Sequence, residues 1–348
     1  LSRGLKQDLI LNTKIDENNK IIIDDQLIGE LKGLKFNIEL TSQTLDTDIK
    51  SIKKAARKGV QEELDKRVDL IIEKKNIILD ENCKICWNQN PIAKLKKGND
   101  YLNPDIEIIA DDSIEIATKA KLSAFLKKWM SEYSEEVLGD LKNLTKKEIK
   151  NQYLRALIFQ LYENNGVVKR KDVDNMVKLI SAEDRKKLWN IGIKIGRYHV
   201  YLPKMLKPKA VTFRINLWKL FYNDPNNYQI PKFGLNFISG NNYNNKFLLL
   251  CGFENFNSHY VRIDMLEKLF IKILAKTSNR KFKIDAEMMN LLGCSKEDFY
   301  KLMVNMNYKK DKLQDTYIFL GDKKKKKTIF KNKDDSNPFN KLTALNLK

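Results

Sequence analysis

The sequence predicts an α+β fold that is mainly helical, with a small β-unit near the N-terminus and a few short strands. In residues 20–39 and again in residues 76–110, short apolar runs alternate with turn residues, a pattern typical of strands. From Asp112 onward, apolar residues recur at spacings of three and four, which indicates helices. After Gly321 the sequence becomes low-complexity and rich in lysine, which predicts a disordered basic C-terminal tail.

The β-unit predicted over residues 1–111 contains two similar halves. Each half has the order strand, tight turn, strand, Lys-Gly turn, strand, so we interpret the region as an internal duplication. A long amphipathic helix is predicted over residues 47–75, between the two halves. The expected apolar face of this helix is Ile52, Ala55, Ala56, Val60, Leu64, Val68 and Ile71. Residues 1–13 are expected to be the end of a helix whose partner lies upstream.

A helical domain is predicted over residues 112–222. The apolar spacing predicts helices over residues 113–133, 146–163, 171–180, 182–190 and 208–222. Residues 135–144 are expected either to continue the first of these helices or to start another. One strand, RYHVYL, is predicted over residues 197–202, after Gly192 and Gly196.

A smaller α+β unit is predicted over residues 223–321, followed by the tail at residues 322–348. Residues 223–245 form an Asn-rich loop that marks the domain boundary. The expected elements beyond this loop are strands over residues 247–252 and 260–263 and helices over residues 264–276, 285–292 and 296–305. The last two helices resemble a helix-turn-helix in outline. A helical corner that only packs is the preferred interpretation.

The composition restricts the class of protein. The net charge is +20, and nine Lys against two Asp in residues 323–348 contribute +7, leaving +13 on the body. Such a charge favours an anionic partner, either nucleic acid or an anionic membrane. The four cysteines are too few for a disulfide scaffold, so a cytoplasmic location is expected. No apolar run is long enough to cross a membrane.

The most informative stretch is residues 185–222, which contains ten basic residues and no Asp or Glu. A solvated helix would mix both signs of charge, so these bases indicate a surface for a polyanionic backbone. The aromatic side chains in this stretch could stack on bases, although core packing is the preferred interpretation. They are Trp189, Tyr198, Tyr201, Phe213, Trp218, Phe221 and Tyr222.

Motifs for catalysis and for metal binding do not occur in the sequence. It has no phosphate-cradling GxxxxGK[ST] loop, no DExH box and no GxSxG, HExxH or GxGxxG motif. The two histidines, His199 and His259, have no acid at useful spacing, and a packed His199 is the preferred interpretation. Cys83 and Cys86 form a single CxxC without a second ligand pair, so coincidence is preferred over a zinc or redox site. No catalytic or metal-binding residue is therefore predicted.

Five segments carry a resemblance to a known family. They are IGELKGLKFNIE, CWNQNPIAKLKKGNDYLNPDI, IGRYHVYLPKMLKPKAVTFRINLW, YVRIDMLEKL and MMNLLGCSKEDFYKLM. In this order they resemble the region that follows the motor in alphaproteobacterial superfamily 2 DExH-type helicases. These enzymes are relatives of the RNA helicase of the mitochondrial degradosome. The most specific part is the pattern YLP-x-x-LKP-x-A-x-x-x-R-x-x-LW, residues 201–218.

The resemblance implies that the chain is an accessory region of an ATP-dependent helicase. The two motor domains, with their ATP and Mg²⁺ sites, would precede Leu1, so the chain is expected to be a fragment and to hold no cofactor itself. RNA is favoured over DNA as the partner. A nuclease, or the motor itself, is the alternative acidic partner for the basic surface.

The predicted nucleic-acid-binding residues follow from the pattern of charges and aromatic rings alone. Six bases are expected to neutralise phosphates, and Tyr198 or Tyr201 is expected to stack on a base. Lys207 and Arg214 are seven residues apart and would share a helical face if the helix begins by Lys207. The six bases are Lys194, Arg197, Lys204, Lys207, Lys209 and Arg214.

Overall fold

The structure, a computed structural model, describes residues 14–16, 19–23, 26–38, 46–146, 149, 151–223, 228–240, 243–311 and 316–320. The helix end predicted at residues 1–13 and the tail predicted at residues 322–348 lie outside these residues. Among them, helices contain more residues than the small antiparallel sheets do, so the predicted α+β class is confirmed.

The N-terminal β-unit consists of two four-stranded sheets joined by one long helix. Its elements are β1 Lys14–Ile15, β2 Lys20–Ile23, β3 Gln26–Lys32, β4 Lys35–Ile38, α1 Asp46–Lys74, β5 Ile77–Leu79, β6 Lys84–Trp87, β7 Asn90–Asp100 and β8 Asn103–Ile108. Both sheets are meanders in which sequential strands pair antiparallel. The predicted strands and the long helix are therefore confirmed, while their origin by duplication stays a prediction.

Helix α1 packs against β4 of the first sheet. Val60, Leu64, Val68 and Ile71, the described part of its predicted apolar face, are all fully buried. They belong to one hydrophobic core that also contains strand residues of both sheets. Burial of each such side chain stabilises the fold by about 1.5–3 kcal/mol.

The central region is helical, with three short strands. Its elements are α2 Ile116–Lys142, α3 Gln152–Glu163, β9 Val167–Lys169, α4 Arg170–Leu179, α5 Ala182–Asn190, β10 Lys194–Ile195, β11 His199–Tyr201, a 3-10 turn Pro203–Leu206 and α6 Pro208–Tyr222. Of the two alternatives for residues 135–144, the structure has the first, since one continuous helix runs through this region. Helix α3 begins later than predicted, because the Asn151 side chain caps it by accepting the N–H groups of Tyr153 and Leu154.

The C-terminal region has the elements β12 Phe237–Ser239, α7 Asn245–Leu250, β13 Phe253–Phe256, β14 His259–Arg262, α8 Ile263–Lys276, β15 Lys281–Phe282, α9 Ala286–Leu292, α10 Lys296–Asn305, β16 Tyr308–Lys310 and β17 Tyr317–Phe319. The strand predicted over residues 247–252 is wrong, since most of this run lies in α7. The Asn244 side chain accepts the N–H groups of Lys246 and Phe247 and so caps this helix. A short apolar run does not by itself separate a strand from a buried helix.

Two parts of the chain share one connectivity, helix-strand-helix-helix-strand-strand. The first unit is residues 152–201, with α3, β9, α4, α5, β10 and β11 in this order. The second unit is residues 263–319, with α8, β15, α9, α10, β16 and β17. In both sheets the last strand lies between the other two, giving the orders β10-β11-β9 and β15-β17-β16. In the second unit, the predicted pair of helices at residues 285–305 is therefore part of a larger unit and not an isolated corner.

Candidate nucleic-acid interface

Arg214, predicted to contact phosphate, is fully buried in α6. Its Nη1 donates a hydrogen bond to the carbonyl of Asn165 at 2.5 Å, and its Nη2 donates to the carbonyls of Met205 at 2.6 Å and Leu250 at 3.1 Å. The side chain thus joins the end of α3, the 3-10 turn and α7. The prediction for Arg214 is wrong, because its guanidinium group is inside the protein and does not share a face with the exposed Lys207.

Of Tyr198 and Tyr201, predicted as alternatives for base stacking, Tyr201 is buried and Tyr198 is partly buried against other aromatic rings. Tyr201 is buried in β11, and burial raises its pKa to about 12. The ring of Tyr198 packs edge to face against Phe256 and Phe270, with centroids 6.0 and 5.9 Å away. The stacking prediction is wrong for Tyr201, and Tyr198 contributes to the core of the second unit instead. For these two rings the preferred core interpretation is confirmed.

Lys204 and Lys209 form ion pairs with carboxylates of α2, a helix that is distant in the sequence. Lys204 Nζ lies 2.9 Å from Asp140 Oδ1, and Lys209 Nζ lies 2.6 Å from Glu136 Oε1, both on α2. The stretch has no acid of its own, but the fold supplies two. These pairs are exposed and compete with any phosphate at the same ammonium groups. The structure therefore weakens the prediction for both lysines.

The three other predicted bases lie in three different environments. Lys207 is exposed at the N-cap of α6. The Arg197 guanidinium lies 6.0 Å from the Phe270 ring and 5.7 Å from the Phe319 ring, against two aromatic side chains of the second unit. Lys194 is exposed in β10, and its Nζ lies 5.5 Å from the ring centre of Trp189.

Trp189 and Lys194 form the clearest exposed combination of an aromatic ring and a cation in the first unit. Trp189 lies near the end of α5 and is 64% exposed, although a tryptophan usually buries its large apolar surface. Lys186, three residues earlier on the same helix, is also exposed. We call these three residues, Lys186, Trp189 and Lys194, the α5 face.

The sequence of α5 explains why this face points outward. Ser181 caps the helix by accepting the N–H of Asp184, and the Asp184 carboxylate accepts hydrogen bonds from Asn151 and Lys187. Asp184 and Leu188 are buried and four residues apart, so they mark the inner side of the helix. Trp189 follows Leu188 directly and is turned away from that side. The core interpretation is wrong for Trp189, and its position off the apolar spacing was the signal in the sequence.

A buried group of charged side chains fixes the turn between β10 and β11 to the C-terminal region. Glu267 of α8 accepts the backbone N–H groups of Arg197 at 2.7 Å, Tyr198 at 2.9 Å and His199 at 3.0 Å. Only glycine fits at residue 196, since an added Cβ would lie 2.2 Å from the Glu267 Cδ. The turn is therefore held by a carboxylate from the second unit.

His199 and Glu254 extend this group. His199 is fully buried; its Nε2 lies 2.7 Å from Glu254 Oε2, and its Nδ1 lies 3.8 Å from Glu267 Oε1. Lys169 Nζ contacts Glu254 Oε1 at 2.5 Å. We call Lys169, His199, Glu254 and Glu267 the clasp. The sequence predicted a packed His199, which is confirmed, but its acids are 55 and 68 residues away and no spacing rule finds them.

The clasp predicts a pH dependence of stability. Burial alone would lower the pKa of His199, but the carboxylates of Glu254 and Glu267 outweigh it, and the net shift is upward. Because the pKa is higher in the folded than in the unfolded chain, this stabilisation is complete below about pH 6.5 and is lost as the pH rises through the folded pKa. We expect urea unfolding midpoints to fall over this range in the parent and to fall less in His199→Gln. Equal slopes in both proteins would contradict this.

The order of elements and of strands in both units is that of a winged helix-turn-helix, with α5 and α10 in the position of the third helix. In helix-turn-helix proteins it is the exposed second helix of the pair that reads nucleic acid. Comparisons with protein-family models, with curated proteins and with solved structures find no significant match. The fold class therefore comes from the structure itself.

The described residues give little support for a membrane span, a metal site or a reactive thiol. None of their helices combines the length and apolar character needed to cross a bilayer. No group of three or more His, Cys, Asp or Glu residues in the described part of the chain is arranged to hold a metal ion. Burial raises the pKa of the Cys83 thiol to about 11 and also raises that of Cys86, which makes both thiols poor nucleophiles and poor ligands.

Proposed function

We propose that this chain is an accessory region that binds single-stranded nucleic acid, with RNA favoured over DNA, and that it serves a superfamily 2 helicase. The observation that carries the proposal is the α5 face. Trp189 offers an exposed ring on the third helix of a winged unit, with Lys186 and Lys194 exposed around it. The helicase attribution and the preference for RNA come from the resemblance of residues 201–218 and the other segments. They imply that ATP and Mg²⁺ act in the parent motor.

The α5 face fits the physical chemistry of single-strand binding. A base stacked on an aromatic side chain contributes about 1–3 kcal/mol regardless of the base. Lysines near the ring neutralise the adjacent phosphates and release counterions. A net charge of +20 on the whole chain adds long-range attraction for any such strand.

Duplex binding in the usual helix-turn-helix mode is disfavoured by the start of α5. In that mode, residues at the N-terminus of the recognition helix contact base edges in the major groove. Here the first turn carries the exposed carboxylate of Glu183, which would repel the phosphates, whereas the Asp184 carboxylate is buried. The ring and the lysines lie in the rest of the helix and in β10. We therefore favour a single strand that lies across this part of the surface.

The test is binding of a labelled single-stranded RNA of about 12 nucleotides, followed by fluorescence anisotropy. Trp189→Ala is expected to weaken binding about 5- to 150-fold, because it removes one stacking surface. Lys186→Glu with Lys194→Glu is expected to flatten the dependence of log K on log salt by about 0.7 units for each phosphate that the variant no longer neutralises.

Matched controls come from exposed residues elsewhere. Phe159 is a 54% exposed ring on α3 of the same unit, and Lys128 is an exposed lysine on α2. Phe159→Ala and Lys128→Glu are expected to bind RNA like the parent. Parent-like binding by Trp189→Ala and by the double lysine variant would refute the α5 face as the site.

The second candidate is a protein-interaction module that docks a nuclease or the helicase motor. Ile271 and Leu274 support it, since both side chains are more than half exposed and lie one turn apart on α8. Competition separates the two functions. An RNA homopolymer is expected to block the basic surface under the first proposal, whereas only the protein partner would block it under the second.

A further inference from the structure

We infer a second site for single-stranded nucleic acid, on the second unit and centred on Tyr300. The inference rests on the proposed function but concerns a different surface. Tyr300 lies on α10, and its ring centre is 5.8 Å from Lys296 Nζ and 5.7 Å from Lys310 Nζ. An aromatic ring between two ammonium groups is the combination that binds a base and its flanking phosphates.

The ring of Tyr300 is held in place from below. Phe299, Leu302 and Met303 of α10 are fully buried, so the neighbouring Tyr300 lies at the edge of the core. Its ring is stacked on Tyr317 of β17, with centroids 6.1 Å apart and planes 20° apart. The ring is therefore supported by protein, and a base is expected to stack on its partly exposed remainder, beside the two ammonium groups.

The two units present the same chemical pair in related places. In the first unit, an aromatic residue of the third helix, Trp189, lies near a lysine of the following strand, Lys194. In the second unit the same relation joins Tyr300 of α10 to Lys310 of β16. Both third helices also start with a serine N-cap that accepts the N–H of an aspartate at the third helical position. The ring of the second unit lies one turn closer to that cap.

The charges around Tyr300 favour an anionic strand. Lys296, Lys301 and Lys309 are exposed. Two nearby carboxylates are engaged by the protein: Asp298 accepts a hydrogen bond from Ser295 Oγ at 2.9 Å, and Asp311 pairs with Lys281 at 2.8 Å. Glu297 is an exposed carboxylate at the start of α10 and opposes binding there, as Glu183 does in α5. The nucleic acid is thus expected to lie across Tyr300 and on the side of α10 that faces β16.

Two sites in one rigid chain have a consequence for strand length. The clasp joins the units through Glu267, so their separation is fixed in the folded protein. A strand long enough to reach both sites binds the second one at a high effective concentration. A strand that covers only one site does not. Affinity is therefore expected to rise steeply once a minimum length is reached.

The test measures the affinity of short and long single-stranded RNAs, of about 6 and about 30 nucleotides, for three proteins. These are the parent, Trp189→Ala, and the exposed charge variant Lys296→Glu with Lys301→Glu. We expect the parent to bind the long RNA at least about 10-fold more tightly than the short one after correction for the number of binding registers. The lysine variant is expected to lose this advantage and to retain binding of the short RNA at the α5 face.

The outcomes distinguish the two proposals. The control is Lys128→Glu with Lys268→Glu, which makes the same change of charge at exposed lysines of α2 and α8. If the lysine variant keeps the full length advantage while Trp189→Ala weakens binding, the second site is refuted and the proposed function stands. If Trp189→Ala has no effect while the lysine variant does, the α5 face is refuted. Tyr300→Ala is a third variant. If its folding is impaired, the result of the charge variant alone decides between the outcomes.

Discussion

Replacing Arg214 by methionine is expected to lower the free energy of unfolding by about 3–5 kcal/mol, among the largest effects expected for any single substitution in this chain. The guanidinium group is fully buried and donates hydrogen bonds to the carbonyls of Asn165, Met205 and Leu250. Methionine fills part of the space but leaves these buried carbonyl oxygens without donors, and each costs about 1–3 kcal/mol. Urea unfolding of both proteins measures the difference.

Lys209→Met provides the matched control for Arg214. It also removes a positive charge from α6, but its ammonium is exposed, pairs with Glu136 and lies 4.9 Å from the centre of the Tyr133 ring. We expect its free energy of unfolding to stay within about 0.5 kcal/mol of that of the parent. Arg214→Lys is expected to recover part of the loss, since an ammonium cannot reach three carbonyls with the planar geometry of a guanidinium. A parent-like midpoint for Arg214→Met would contradict the structural role.

Replacing Glu267 by alanine is expected to have the second large effect and to lower the free energy of unfolding by about 3–5 kcal/mol. Three consecutive N–H groups, those of Arg197, Tyr198 and His199, would lose their acceptor, and His199 would lose one of its two carboxylates. Besides the unfolding midpoint, hydrogen exchange of these three amides gives a local readout. They are expected to become much less protected than the amides of β9, which do not depend on this carboxylate.

A control for Glu267 is Glu287→Ala on α9. Glu287 is exposed and pairs with Lys272, which lowers the pKa of its carboxyl group. Because this pair is surrounded by water, we expect no measurable change of the unfolding midpoint. Unchanged protection of residues 197–199 in Glu267→Ala would show that the carboxylate does not hold the turn.

Local sequence patterns predicted most of the secondary structure but not the packing of charges. The long helix α1 was predictable because Val60, Leu64, Val68 and Ile71 recur at helical spacing. Arg214 was not recognisable as a buried residue, because the three carbonyls it binds come from other segments. The carboxylates that pair with Lys204 and Lys209 lie more than 60 residues upstream in the sequence. The acid-free stretch therefore looked more available to anions than it is.

The candidate site was only partly predictable for a related reason. Lys194 was predicted from the pattern of charges, and Trp189 was noted among the rings, but the preferred core interpretation hid its exposure. The winged units were also hidden, although the α9–α10 pair was recognised as helix-turn-helix-like in outline. Strands of two or three residues, such as β10 and β15, carry too little alternation to be predicted from sequence.

Photocrosslinking of a single-stranded RNA that carries 4-thiouridine, followed by mapping of the attached peptides, tests the central claim most directly. The claim is that the third helix and following strand of each winged unit contact the strand. We expect crosslinks in residues 182–194 and 296–310, with the first group lost in Trp189→Ala. Crosslinks confined to other parts of the chain, such as residues 97–142, would contradict it.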